Sequence, residues 1–349
     1  MIPIQVQTVD VAPKTDTAMV HYAFSPDLGG ATVALDAVVK GKRIHVFADR
    51  DLTHFNVLYA KDSNAPFKQF NVPLFPLTNR LLPKNYTAKT ETKVGTDFLA
   101  DVEKISVKMP TNNVSAVTGS IAHHLHGLSF DAKAAKVVET KSDGGEQSLI
   151  ELSDFFKGYW TSNANLQITQ SIQNGEFHYK MTAKNIGQSP MPVGFGSHPY
   201  FQIPSGHASA ITLKIPAHRL ADIDNLDNVF PKGTLSPVTA NADRLNFSVP
   251  KALPKGVIDN FFVLDPSQRK EVILEDKEAN VRYRITGLTS NIIGVQVYYP
   301  GEGSVIAIEM VTNYPDPRSE LWKDIATGMR VLNPGESAQY EYKIAVESL

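Results

Sequence analysis

The stretch Phe177-His178-Tyr179-Lys180-Met181-Thr182-Ala183-Lys184 alternates apolar and polar residues at a strict period of two. Successive side chains of a strand point to opposite faces, so the pattern predicts a β-strand with one buried and one solvated face. The same period recurs in Val281-Arg282-Tyr283-Arg284-Ile285-Thr286 and in Tyr340-Glu341-Tyr342-Lys343-Ile344-Ala345-Val346-Glu347. It begins again at Leu166-Gln167-Ile168-Thr169. Turn signals separate such runs: Asn174-Gly175, Asn185-Ile186-Gly187, Pro300-Gly301-Glu302-Gly303 and Asn333-Pro334-Gly335. Only Leu321-Trp322-Lys323-Asp324-Ile325 suggests a helix, and a short one. Many strands, frequent turns and few helices predict an all-β protein built as a large antiparallel β-sandwich. With no repeat of a propeller or solenoid and no Pro/Gly/Ser-rich linker, a single domain over residues 1–349 is expected, with residues 1–30 as a peripheral N-terminal segment.

Composition narrows the function. Of the 349 residues, 42% are hydrophobic and 20% charged, enough for a substantial core. Lys plus Arg number 34 against 36 Asp plus Glu, a net charge of −2, so no nucleic-acid or membrane partner is expected on electrostatic grounds. The absence of cysteine excludes disulfides, thiolate zinc sites, iron–sulfur clusters and cysteine nucleophiles. No run approaches the roughly eighteen apolar residues of a membrane helix. Met1–Asp10 lacks a basic stretch followed by a continuous apolar one, so a cytoplasmic location is the expectation.

Familiar catalytic motifs are missing. Gly194-Phe195-Gly196 opens like a dinucleotide fingerprint, but Pro199 holds the third glycine position and no helical pattern follows. There is no phosphate-binding loop, H-E-x-x-H pair or G-x-S-x-G elbow. His123, His124 and His126 lie close together, and in an extended segment His124 and His126 share a face. No carboxylate stands beside them at ligand spacing, so no metal is expected.

Three spots place polar groups inside apolar sequence, where burial is costly unless the group is paired or functional. In Ser304-Val305-Ile306-Ala307-Ile308-Glu309-Met310-Val311 a single carboxylate interrupts an apolar run. A wet face of an edge strand is the ordinary alternative for Glu309. The preceding strand, Ile292 to Tyr299, carries Gln296. A four-residue loop over Pro300–Gly303 opposes Tyr299 to Ser304 and makes Gln296 and Glu309 diagonal neighbours on one face, whereas a one-residue slip separates them. In Pro192-Val193-Gly194-Phe195-Gly196-Ser197-His198-Pro199-Tyr200-Phe201, glycines thin the strand and His198 ends it among aromatics. A core histidine bonded to a carbonyl is the alternative there. In Asn71 to Leu81 a proline-marked apolar segment precedes Asn79-Arg80, a rigid mount for a guanidinium fork or else a surface turn.

Together these segments resemble the aldose 1-epimerase (galactose mutarotase) family. The matching pieces, in the family's order, are Phe75-Pro76-Leu77-Thr78-Asn79-Arg80, Leu125-His126-Gly127, Gly196-Ser197-His198-Pro199-Tyr200-Phe201, Ile258-Asp259-Asn260, Val295-Gln296-Val297-Tyr298, Ile308-Glu309-Met310-Val311-Thr312 and Leu332-Asn333-Pro334-Gly335-Glu336. The resemblance implies the mutarotase-like supersandwich with a sugar cleft on one sheet. It implies that Glu309 is the general base, that His198 is the general acid and that His126 assists near the ring oxygen. It further implies that Asn79, Arg80, Tyr200, Asp259 and Gln296 contact sugar hydroxyls. Two positions depart from the family: Leu128 stands where a second glycine usually follows Leu-His-Gly, and Met310 where proline usually follows the glutamate. The first bears on substrate preference and the second on local backbone shape.

The chemistry implied is anomer interconversion of a free aldohexose. A proton leaves the C1 hydroxyl, the ring oxygen gains one and the C1–O5 bond breaks; the aldehyde rotates and recloses. An acid and a base on opposite sides of the reacting centre suffice, with no cofactor. The expected partner is a monosaccharide, and the expected assembly a monomer or weak homodimer. The alternatives are a hexose-6-phosphate 1-epimerase, a non-catalytic carbohydrate-binding sandwich, and a glycoside hydrolase or lyase for which Asp259 is the one second carboxylate on offer.

Overall fold

The computed structural model describes residues 4–47, 70–86, 93–114, 121–142 and 145–349. Two antiparallel sheets dominate. The nine-stranded sheet runs, edge to edge, through Lys136–Ser142, Gly145–Leu152, Ala164–Gln173, Glu176–Asn185, Ser337–Ser348, Val281–Gly287, Glu271–Asp276, Ile211–Lys214 and Lys251–Ala252. The eight-stranded sheet runs through Pro231–Pro237, Ala217–Ile223, Ile258–Leu264, Gly294–Tyr299, Val305–Val311, Gly196–Ser197 and Pro73–Leu74, with Tyr200–Gln202 also paired to Val305–Val311. All four alternating runs form strands of the first sheet. Phe177, Tyr179, Met181 and Ala183 are fully buried, while Lys184 is exposed. One apolar cluster joins them to Ile306, Ile308 and Met310 of the second sheet, and the Tyr340 hydroxyl donates across the interface to the Met310 carbonyl at 2.7 Å. The all-β sandwich is therefore the observed architecture.

Asn174 and Gly175 adopt φ of 52° and 77°, the left-handed pair that closes a two-residue hairpin with Gln173 opposite Glu176. The helix is shorter and earlier than expected, Ser319–Trp322, because Lys323 takes φ 50° and ends it.

The expectation of a peripheral N-terminus is corrected. Met1–Pro3 lie outside the described residues, but Thr17–Ser25 belongs to a four-stranded sheet with Gln7–Asp10, Ala31–Val39 and Lys42–His45. Its Met19, Tyr22 and Phe24 enter the main apolar cluster, and the Tyr22 hydroxyl donates to the Gln170 carbonyl at 3.0 Å. A strand buried on both faces carries no alternation, so this one gave no period-two signal. No helix among the described residues is long and apolar enough to cross a membrane.

The hairpin carrying Gln296 and Glu309 is also corrected. Its last registered pair is Tyr298 with Ala307, and Gln296 lies directly opposite Glu309, a two-residue difference from the expected register. The loop is longer because Gly301 and Gly303 both turn at positive φ. A shift of two preserves the face, so the two side chains stay together.

Burial predicts the stability of this frame. Met181, between Ile168 and Tyr340 in register, is fully buried. Met181→Ala is expected to cost about 2–5 kcal/mol in denaturant unfolding, whereas Lys184→Ala on the same strand stays within about 0.5 kcal/mol. Equal effects would contradict the assigned faces.

Candidate active site

On the face of the eight-stranded sheet turned away from the main core lies a cavity of about 450 Å³. Glu309, His198, His126, Asn79, Arg80, Tyr200, Asp259 and Gln296 all line it. The floor is a cross-strand row in which Gln296 faces Phe261 on one side and Glu309 on the other. Alternation sends Ile306, Ile308 and Met310 into the core and Glu309 to the cavity side, where it is only 1% exposed. The wet edge-strand alternative for Glu309 is thereby excluded.

Loops bring the imidazoles to this row. His198 follows the short strand Gly196–Ser197, and its backbone N–H donates to the Val72 carbonyl at 3.2 Å. The neighbouring glycines serve packing: a Cβ on Gly194 would meet the Asn313 side chain at 2.1 Å, and one on Gly196 the Thr78 methyl at 2.6 Å. His126 leaves the strand Ala122–Leu125 at φ 68°, followed by Gly127 at φ 71°. A Cβ on Gly127 would lie 2.5 Å from the Phe75 carbonyl oxygen, so only glycine lets this turn dock. The His126 N–H donates to the Asn79 carbonyl at 2.8 Å. This turn separates His126 from His124, contrary to the shared face expected of an extended segment. The His124 ring lies 2.7 Å from both the Pro110 and the Gly127 carbonyl oxygens, and His123 packs edge-on to Phe230.

His198 Nε2 stands 3.3 Å from Glu309 Oε1, and the His126 and His198 rings meet edge to face with centroids 5.0 Å apart. The acid and base candidates are thus neighbours on one floor rather than facing across the reacting centre. Tyr200 covers His198 at 4.9 Å between centroids. Around them four side chains close a ring. Asn79 Nδ2 donates to Gln296 Oε1 at 3.1 Å and Gln296 Nε2 to Asp259 Oδ1 at 2.5 Å. Arg80 Nη2 lies 3.6 Å from Asp259 Oδ2, and Arg80 Nη1 donates to Asn79 Oδ1 at 3.1 Å. Asn79 takes φ 60°, a conformation Asn tolerates, which turns its amide toward this ring. Within the cavity, buried Arg80 Nε, His198 Nδ1 and Glu309 Oε2 find no hydrogen-bond partner among the described residues. Buried orphans of this kind mark where a polar ligand completes the network.

Electrostatics follow from burial. Desolvation raises Glu309 well above the usual carboxylate range, Asp259 adds to the rise and Arg80 opposes it. Desolvation lowers His198 to about 4 and carries His126 well below its ordinary value, with His198 and Arg80 adding to the latter. Burial also raises Asp259 against the pull of Arg80. Both members of the Glu309–His198 pair therefore favour their neutral forms, with one proton held between two adjacent groups. Ligating atoms of His126, His198 and Glu309 lie within 4.8 Å of one another, but a cation there would have to displace that proton.

Sequence reasoning missed Tyr298, Leu125, Pro300 and Val305, which form the remaining wall. Tyr298 was legible: it shares a face with Gln296 and stands opposite Asp259 in register. Neither departure from the family pattern reaches the cavity lining. Leu128 packs against the main core, and Met310 is buried in it.

The profile of the family described as aldose 1-epimerase matches residues 102–345. No functionally curated protein matches the sequence. A galactose mutarotase-like protein from Clostridium acetobutylicum shares the fold with a TM-score of 0.75 at 17% identity, over 99% of both chains. An aldose epimerase homologue from C. elegans gives 0.71 at 14%, over 99% of this chain and 100% of that one. Galactose 1-epimerase from Lactobacillus acidophilus gives 0.68 at 15%, over 99% of both. At such identities the structures speak for the fold alone, and the sequence profile, matching most of the chain, speaks for kinship. The chain belongs to the aldose 1-epimerase family.

Proposed function

We propose that the protein is an aldose 1-epimerase acting on a free aldohexose, with Glu309 as base and His198 as acid. The observation that carries this reading is the 3.3 Å approach of His198 Nε2 to Glu309 Oε1 inside a cavity otherwise lined by hydroxyl-binding groups. The C1 hydroxyl and the ring oxygen are bonded to the same carbon, so two adjacent groups can serve both. Ionised Glu309 takes the proton of the C1 hydroxyl while protonated His198 gives one to the ring oxygen, and the C1–O5 bond breaks. The aldehyde turns about C1–C2, and the same two protons return as the ring closes on the other face. His126 packs on His198 and restricts its ring, and Asn79, Arg80, Asp259 and Gln296 hold the remaining hydroxyls.

The protonation states fit this cycle. Protonated Glu309 with neutral His198 is the state burial favours, and it is also the state reached when the ring has opened. The starting state differs only by the position of one proton, so its population is independent of pH wherever the pair holds one proton in total. Against the 6-phosphate reading, the one Arg of the lining is already committed to Asp259 and Asn79. A purely binding role leaves the buried acid–base pair without a purpose.

Polarimetry on freshly dissolved α-galactose or α-glucose is expected to show faster relaxation with the protein than in matched buffer. Glu309→Gln and His198→Asn should each lower the rate at least about a hundredfold with the fold intact. Near-normal turnover by Glu309→Gln would overturn the role assigned to it.

The kcat/KM profile reports the free enzyme and should be bell-shaped. Activity is expected to fall as pH drops through about 4, where His198 and Glu309 are both protonated. It should fall again above the usual carboxylate range, where Glu309 loses the last proton of the pair. An alkaline limb at the ordinary histidine value of about 6.5 that survived in Glu309→Gln would contradict this order. Dialysis against a chelator should leave the rate unchanged, and a loss restored by a divalent cation would contradict a mechanism run by side chains alone.

A further inference from the structure

A second cleft, of about 390 Å³, lies on the same side of the eight-stranded sheet as the catalytic cavity. Its apolar floor includes Val263, Ile293 and Tyr314. Val263 pairs with Gly294, one row beyond the Phe261–Gln296–Glu309 row, and Phe261 makes the partition. The Phe261 ring lies across Gly294, where a Cβ would come within 2.2 Å of it, and packs edge-on to Tyr314 at 5.3 Å.

The cleft's polar lining has one sign. It carries Arg219, Lys270 and His218 and no carboxylate. Among the described residues neither Arg219 nor Lys270 forms an ion pair, and Lys270 Nζ is tethered to the rim by the Thr289 and Ser290 carbonyls at 3.3 and 2.5 Å. Asp265, which feels the charge of His218, accepts from Ser267 and Gln268. Tyr314 is 7% exposed, and its hydroxyl makes no hydrogen bond to the described residues. Burial, against the pull of Arg219, keeps that hydroxyl protonated and so a donor. A protein of net charge −2 thus concentrates two cations outside any ion pair, among the described residues, and an unpaired tyrosine hydroxyl around an apolar floor.

We propose that this cleft binds a small amphipathic anion, an apolar body bearing one carboxylate. The body occupies the floor over Val263 and Ile293, and the carboxylate accepts from Arg219, Lys270 and the Tyr314 hydroxyl. An uncompensated guanidinium favours a carboxylate over a neutral group of the same shape, because the charge-assisted hydrogen bond is the stronger.

The test uses the whole protein, 4-phenylbutyrate and its neutral amide, 4-phenylbutanamide. Titration calorimetry measures binding, and tryptophan fluorescence reports it locally because Trp322 packs on Tyr314 at 5.0 Å. One-site saturation by the acid is expected, at least tenfold weaker for the amide and at least tenfold weaker with Arg219→Glu. Lys270→Gln should also weaken it, while Glu309→Gln leaves it unchanged. Circular dichroism of Arg219→Glu and Lys270→Gln should match that of the parent protein. Absence of saturable binding by the acid, equal binding of acid and amide, or insensitivity to both cleft variants would overturn the proposal.

Discussion

A carboxyl group held out of water in the middle of a sheet is the constraint on which the rest depends. Glu309 sits on an inner strand of the eight-stranded sheet, with Gln296 beside it and His198 at 3.3 Å. Desolvation penalises its ionised form, and a lone buried carboxylate is tolerated only with compensation nearby. Arg80 supplies part of it through space, opposing the rise that burial and Asp259 impose. The other part is the imidazole, itself driven toward neutrality by burial. Two groups that each resist charge, placed side by side, hold a single movable proton. That is the property required for giving one proton and taking another at two oxygens on the same carbon.

The sandwich makes this arrangement reproducible. Strand parity decides that Ile306, Ile308 and Met310 anchor the strand in the core while Glu309 faces the cavity, so the packing that stabilises the fold also fixes the carboxylate. The ring of Asn79, Gln296, Asp259 and Arg80 spends part of its hydrogen-bonding capacity internally, which orients the groups left over for a ligand. Beyond Phe261 the same sheet face continues into the cationic cleft, whose floor belongs to a smaller apolar cluster separate from the main core. One sheet thus offers two chemically different surfaces, divided by one aromatic ring that leans over a glycine.

Much of this was legible in the sequence. Strands solvated on one face announced themselves by alternation, as in Phe177 to Lys184, and Glu309 stood out as a single acid in an apolar run. The ordered short segments located the acid, base and hydroxyl-binding candidates that the cavity gathers, but not the wall residues Pro300 and Val305. What stayed hidden was set by features without a periodic signal. Thr17–Ser25 is buried on both faces and reads as neither period. The loop after Tyr299 is longer than its turn residues suggested, which moved the register by two. His126 turns left-handed where extended backbone was assumed, and that single dihedral angle divides the work of His124 from that of His126. Side-chain partners such as Gln296 with Asp259 depend on register and rotamer together, which no spacing rule supplies.

The most direct test of the central claim follows ring opening without any net reaction. In exchange NMR on equilibrated [1-13C]galactose, the α and β anomeric signals exchange only when the C1–O5 bond breaks and re-forms. Cross-peaks between the two anomers are expected, with a build-up rate that rises in proportion to protein concentration and falls at least about a hundredfold in the Glu309→Gln protein. Exchange no faster than in buffer, for galactose and for glucose alike, would contradict the claim.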